Sequence, residues 1–91
     1  FALQFIREKA RVGWGRLRIL EELATRGLDR DLARRVLDEE DPGDEEERAG
    51  RLADERAARG HSVDSTARFL ARRGFPASTV RAALRSAYGL S

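Results

Sequence analysis

A chain of 91 residues with 18 basic and 16 acidic side chains, formal net charge +2, is long enough for one small domain or two small repeats around a core of limited size. It contains no cysteine, which excludes a disulfide framework and a thiolate metal site and suits a reducing compartment. No run of 18 apolar residues and no signal-peptide pattern occurs, so neither a membrane span nor secretion is expected and a cytoplasmic location is.

The chain begins at Phe1 and contains no methionine, which predicts a fragment whose natural N-terminus is missing. Its charge is segregated. Eight of the 16 acidic residues fall between Asp38 and Glu47, leaving 18 basic and eight acidic residues, net +10, over the other 81. All the bases but Lys9 are arginine, the side chain suited to planar recognition of carboxylate or phosphate. A basic surface with an acidic strap points to a polyanionic or acidic partner.

In chain order, Ala2, Phe5, Ile6 and Ala10 recur at helical spacing and predict a helix over 1–11 that Val12-Gly13-Trp14-Gly15 breaks. A second helix follows over 16–26, with Ile19, Leu20, Leu23 and Ala24 on one face and Gly27 just past its end. Asp29 is a good N-cap for a third, whose buried face is Leu32, Ala33, Val36 and Leu37. Pro42-Gly43 marks a linker at 41–43. A fourth helix begins near Asp44, its glutamates Glu45, Glu46 and Glu47 in the first turn where the helix dipole favours negative charge; Ala49, Leu52, Ala53 and Ala57 form its stripe and Gly60 ends it. Ser62 or Asp64 caps a fifth, carrying Val63, Ala67, Leu70 and Ala71 and ending at Gly74. Pro76 suits the opening turn of a sixth, which uses Val80, Ala83, Leu84 and Ala87 and closes near Gly89.

The two halves echo each other. Leu23-Ala-Thr-Arg-Gly27-Leu28 and Leu70-Ala-Arg-Arg-Gly74-Phe75 lie 47 positions apart, and a gapless shift by that amount gives ten identities, among them Gly13/Gly60, Gly27/Gly74, Arg26/Arg73, Arg34/Arg81 and Leu37/Leu84. Composition alone would give roughly 4–5, so the weight rests on the superposition of both glycine breaks and both apolar stripes. The expected architecture is all-α: two tandem three-helix repeats, 1–40 and 44–91, joined at 41–43 in a short curved helical array.

Phe1-Ala-x-x-Phe5-Ile6, then Gly13-Trp14-Gly15 with Arg18-Ile19-x-x-Glu22-Leu23-x-x-x-Gly27-Leu28, then Phe69-Leu70-x-Arg72-Arg73-Gly74-Phe75, resemble the second and third repeats of RecX, the bacterial regulator of RecA. The resemblance covers nearly the whole chain. It implies tandem three-helix repeats that bind the RecA nucleoprotein filament in its groove and down-regulate ATPase, strand exchange and coprotease activity, and with them a place in recombination, DNA repair and the SOS response. The family's further N-terminal repeat is absent here, Pro76 replaces a more usual polar cap, and the acidic run between the repeats is unusually dense.

The exposed arginines Arg16, Arg18, Arg30, Arg34, Arg68, Arg72, Arg81 and Arg85 are the expected partner contacts, with Trp14 as a stacking candidate. Blander roles compete with these. Arg26 and Arg73 suit the terminal carbonyls of their helices, Trp14 suits a staple between two helices, and Leu28 and Phe75 suit the apolar closure after a C′ glycine. The acidic run is explained by a solvated linker and a helix start, though it could also imitate phosphate. A helix-turn-helix reading would put Arg30, Arg34 and Arg35 in a major groove, against the repulsion of Asp31, Asp38 and Glu39 on the same helix. His61 stands alone, so no metal ligand set exists. No nucleophile–base arrangement and no phosphate-cradling glycine loop is present. The expectation is therefore a non-enzyme with no cofactor and no small-molecule substrate, whose partner is the RecA filament with at most weak contact to DNA. A direct DNA-binding module or a generic helical scaffold is the alternative.

Overall fold

The apolar stripes and glycine stops fold into six helices: α1 (Ala2–Arg11), α2 (Arg16–Thr25), α3 (Arg30–Glu40), α4 (Asp44–Ala58), α5 (Val63–Arg72) and α6 (Ala77–Tyr88). The computed structural model describes residues 1–40 and 44–90, Asp44 by its backbone alone, and among the described residues there is no strand. The linker expected at 41–43 lies outside them. A shift of 47 carries both ends of α2 onto those of α5, the start of α3 onto that of α6, and the end of α1 onto that of α4.

The matching glycines explain the matching ends. Gly27 and Gly74 take φ of 95° and 94°, a conformation that a Cβ disfavours. Beyond each, the chain closes the helix in the same way. Gly27 N–H donates to the Ala24 carbonyl and Leu28 N–H to that of Leu23; Gly74 and Phe75 repeat the pair on Ala71 and Leu70. This is the double backbone closure that satisfies the last carbonyls of a helix. At the N-termini, the Asp29 carboxylate accepts from Leu32 N–H at 3.1 Å and the Ser62 hydroxyl from Ser65 N–H at 3.1 Å. Ser62, not Asp64, is thus the cap of α5. Pro76 sits one position before α6, as its N-cap at φ −61° and ψ 154°, rather than within the first turn.

Two apolar cores result. Phe5, Ile6, Ile19, Leu23, Ala33 and Leu37 form the first, with Trp14, Leu20, Leu28 and Val36 packed against it. Ala49, Ala53, Leu70, Phe75, Val80, Ala83 and Leu84 form the second. Two members of the expected stripes are missing: Leu32 is 42% exposed, and Ala71 is also exposed. Both sit at the edge of their stripe, and the three helices of each half close without covering that edge.

The molecule is elongated, 39 × 21 × 19 Å, and the halves meet end to end where α2 begins. A helix start leaves backbone N–H groups without intrahelical partners. Gly15, the N-cap of α2, has no side chain to supply one, and the other half does so. Gly15 N–H donates to the Arg73 carbonyl at 2.7 Å, Leu17 N–H to the Gly74 carbonyl at 2.9 Å, and Arg16 N–H to Oε2 of Glu45 at 2.6 Å. The C-terminal end of α5 therefore faces the N-terminal end of α2, which aligns opposite dipole charges. Contact is close enough that a Cβ on Gly15 would lie 2.4 Å from the Gly74 carbonyl carbon and the Phe75 nitrogen. One on Gly74 would meet Cβ of Arg18 at 2.4 Å.

Candidate partner-binding surface

Most of the expected contact arginines lie on the solvent face: Arg18, Arg30, Arg34, Arg68, Arg72, Arg81 and Arg85 are exposed. Arg16 is different. Its side chain is 32% exposed and Nη2 lies 2.6 Å from Oδ1 of Asp38, so it is spent within the chain. Arg34 stands 3.8 Å from Asp31 one turn away, an exposed pair of the kind that contributes little and leaves the guanidinium available.

Trp14 is half-buried. It packs edge-on to Phe5 with ring centroids 6.3 Å apart, Lys9 Nζ lies 4.9 Å from its centroid, and the Arg18 guanidinium lies 4.0 Å from it. The staple expected of it is what the packing shows, and it also holds Arg18 over an aromatic face, where the ring quadrupole attracts a cation. The sequence contained the pieces of this stack but not their order, because Arg18 follows Trp14 by only one helical turn after a bend at Gly15.

Arg18 is brought to the seam between the halves. With Leu17, Glu21, Ala71 and Arg72 it lines a cleft of about 330 Å³ against the Gly74 turn. The cleft carries two exposed arginines, Arg18 and Arg72, with Glu21 and Glu22 beside them, and its lining includes Leu17, 52% exposed. Arg30 and Arg34 lie on α3, Arg68 on α5, and Arg81 and Arg85 on α6. Arg34 and Arg81 occupy equivalent positions of the two halves.

Several basic residues that sequence reasoning set aside prove to be structural. Arg73 does not satisfy its own helix; its Nη1 donates to the Val12 carbonyl at the end of α1, 2.9 Å away, and its guanidinium lies 4.9 Å from the Phe69 centroid. Arg26 stacks at 4.9 Å on Phe5. At the positions paired by the 47-residue shift, Lys9 and Arg26 flank Phe5 in the first half, and Arg56 and Arg73 flank Phe69 in the second. The cation pair is kept while the aromatic moves from α1 to α5. Arg56 also begins a hydrogen-bond chain. Its Nε donates to Thr66 Oγ1 at 3.2 Å, Thr66 to the Tyr88 hydroxyl at 2.8 Å, and Tyr88 to the His61 carbonyl at 2.8 Å. Nothing in the periodicity marks Thr66 or Tyr88, since their partners lie 22 residues apart.

The acidic run is not a merely solvated strap, as the sequence suggested. Asp38 pairs with Arg16, Glu40 with Arg7, and Glu45 caps α2. Asp38 and Glu40 are taken by basic side chains of the chain itself and Glu45 by a backbone amide, so these carboxylates are not free to compensate the exposed arginine face.

Among known families, the one described as RecX, second three-helix domain, matches residues 1–37. No curated protein and no solved structure matches the chain.

Proposed function

The chain belongs to the RecX family, and from that premise we propose that it regulates a RecA recombinase, mainly as an inhibitor, by lying in the groove of the RecA–DNA filament. RecX proteins are regulators rather than enzymes, so the activity is one of differential binding. The observation that carries the reading is the family match over the first three helices, together with a second set of three whose glycine stops fall 47 residues later.

In this reading, 1–40 and 44–91 are two repeats, and each offers exposed arginines to the filament. Arg18 and Arg72 meet the partner at the seam, Arg30 and Arg34 on one side, and Arg68, Arg81 and Arg85 on the other. A guanidinium fits a carboxylate with two parallel hydrogen bonds, which favours acidic side chains of a protein groove. Because the seam is made of backbone hydrogen bonds, the two halves present these groups at one fixed spacing. A ligand of fixed spacing shifts a filament between helical states only by binding one of them better. Lowered ATPase, strand exchange and coprotease activity follow if the favoured state is the less active one.

The test is a titration of this chain into RecA assembled on single-stranded DNA, with ATP hydrolysis as the readout. A saturable fall in hydrolysis is expected, with much tighter binding to the assembled filament than to bare DNA. No effect on ATPase at concentrations where the chain is folded supports a scaffold instead. Tight binding to bare DNA, with log affinity falling by ~0.7–0.9 per phosphate against log salt, supports a direct nucleic-acid binder.

A further inference from the structure

Arginines also gather away from the solvent face just described, where α1 passes α4. Arg7 and Arg11 are one turn apart on α1, Arg48 and Arg51 one turn apart on α4, and all four line one cavity of about 370 Å³. Arg11, Arg48 and Arg51 also line the adjoining cavity, of about 180 Å³. Glu40 and Glu47 lie at the first cavity and Glu55 at the second, so the four guanidinium groups outnumber the three carboxylates.

This cluster is not a by-product of the repeat. Shifted by 47, Arg7 and Arg11 fall on Asp54 and Ala58, while Arg48 and Arg51 fall on Phe1 and Gln4. The arginines belong to the junction, and each half contributes two. Like charges one turn apart on a helix repel by a few tenths of a kcal/mol, a cost that Glu8 near Arg11 and Glu47 and Glu55 on either side of Arg51 reduce. The fixed part is well held: Arg48 is only 6% exposed, and its Nη2 donates to the Trp14 carbonyl at 3.3 Å. Arg7 pairs with Glu40. Arg11 and Arg51 are exposed and, among the described residues, make no hydrogen bond or ion pair.

We propose that this junction is an oxyanion site that takes a phosphate group, with Arg11 and Arg51 as its two movable arms and Arg48 as its fixed wall. Planar guanidinium groups bind phosphate oxygens in pairs, and the two exposed arms, Arg11 and Arg51, have their guanidinium groups available for one. The phosphate comes either from a free phosphate compound or from the backbone of a single-stranded nucleic acid. The site stands independently of the RecA reading, and its test contains no RecA, so failure of one leaves the other untouched.

The experiment is NMR of the side-chain Nε–Hε groups of the whole chain during a pyrophosphate titration, at ionic strength held constant with sodium chloride. Saturable shifts of the Arg11 and Arg51 signals are expected, with those of Arg81 and Arg85 unmoved. The apparent affinity should fall at least tenfold in Arg11→Gln/Arg51→Gln, whose two exposed positions leave the cores untouched. Competition of a single-stranded oligonucleotide for the same signals upholds the site and assigns it to phosphodiester; its failure to compete upholds the site and assigns it to free phosphate. Shifts spread evenly over all arginines, an affinity unchanged in the double variant, or an equal response to acetate would overturn the proposal.

Discussion

Replacing Gly15 by alanine isolates the seam between the halves. The backbone there is ordinary, with φ −86° and ψ 169°, so alanine adopts it without strain and any loss must come from contact. An added Cβ lies 2.4 Å from two backbone atoms of the Gly74 turn, and backbone cannot swing aside as a side-chain tip can. Either the turn moves or the two hydrogen bonds at 2.7 and 2.9 Å break. Overpacking of this kind costs about 1–3 kcal/mol and a lost hydrogen bond about 1 kcal/mol, so a strained turn that also gives up one of the two bonds loses about 2–4 kcal/mol. For a chain of this size that lowers the melting temperature by at least about 8 °C. Two controls separate the cause. Gly27→Ala has the unfavourable φ of 95° but nothing within 4 Å, so it should lose only about 1–2 kcal/mol of backbone strain. Gly50→Ala, inside α4 with open space around it, should gain about 0.5–1 kcal/mol from helix propensity. Thermal unfolding gives the stabilities, and hydrogen exchange at the Leu17 amide reports the joint itself. A Gly15→Ala protein that melts within about 3 °C of the parent, with Leu17 still protected, refutes the reasoning.

Asp29→Ala and Ser62→Ala should each cost about 1 kcal/mol in urea unfolding, and add, because the two caps serve separate halves. Tyr88→Phe removes the hydroxyl that joins buried Thr66 to the His61 carbonyl and should cost about 1–2 kcal/mol by the same measurement. Leu32→Gln should change stability by less than about 0.5 kcal/mol, since that side chain is 42% exposed; a loss of 2 kcal/mol would return it to the core.

What could be read from the chain in advance was local. Glycine past a helix end, Asp29 before one and apolar residues at helical spacing each act within a turn or two, and the helix bounds fell within a residue or two of where those signals put them. Stripe edges were harder. Leu32 and Ala71 belong to their apolar faces by spacing, but burial depends on how far a neighbouring helix reaches, which spacing does not encode. The surface was legible in outline: Arg18, Arg72 and the arginines of α3 and α6 are exposed, whereas Arg16 is taken by Asp38, a partner 22 residues on. The seam, the arginine cluster between α1 and α4 and the Arg56–Thr66–Tyr88 chain all join distant parts of the sequence. Gly13-Trp14-Gly15 read as a helix break alone, and only the structure shows that the second of those glycines, without a positive φ, is needed for the close approach of the Gly74 turn.

A joint in which main-chain amides meet main-chain carbonyls depends on few of the side chains that surround it. It asks that two positions stay bare, at Gly15 and Gly74, and that Glu45, Arg48 and Arg73 reach the backbone of the other half. The outer surfaces of the two halves can then drift apart in evolution while their mutual orientation is inherited unchanged. A chain of this kind can change its binding preferences without having to relearn its geometry.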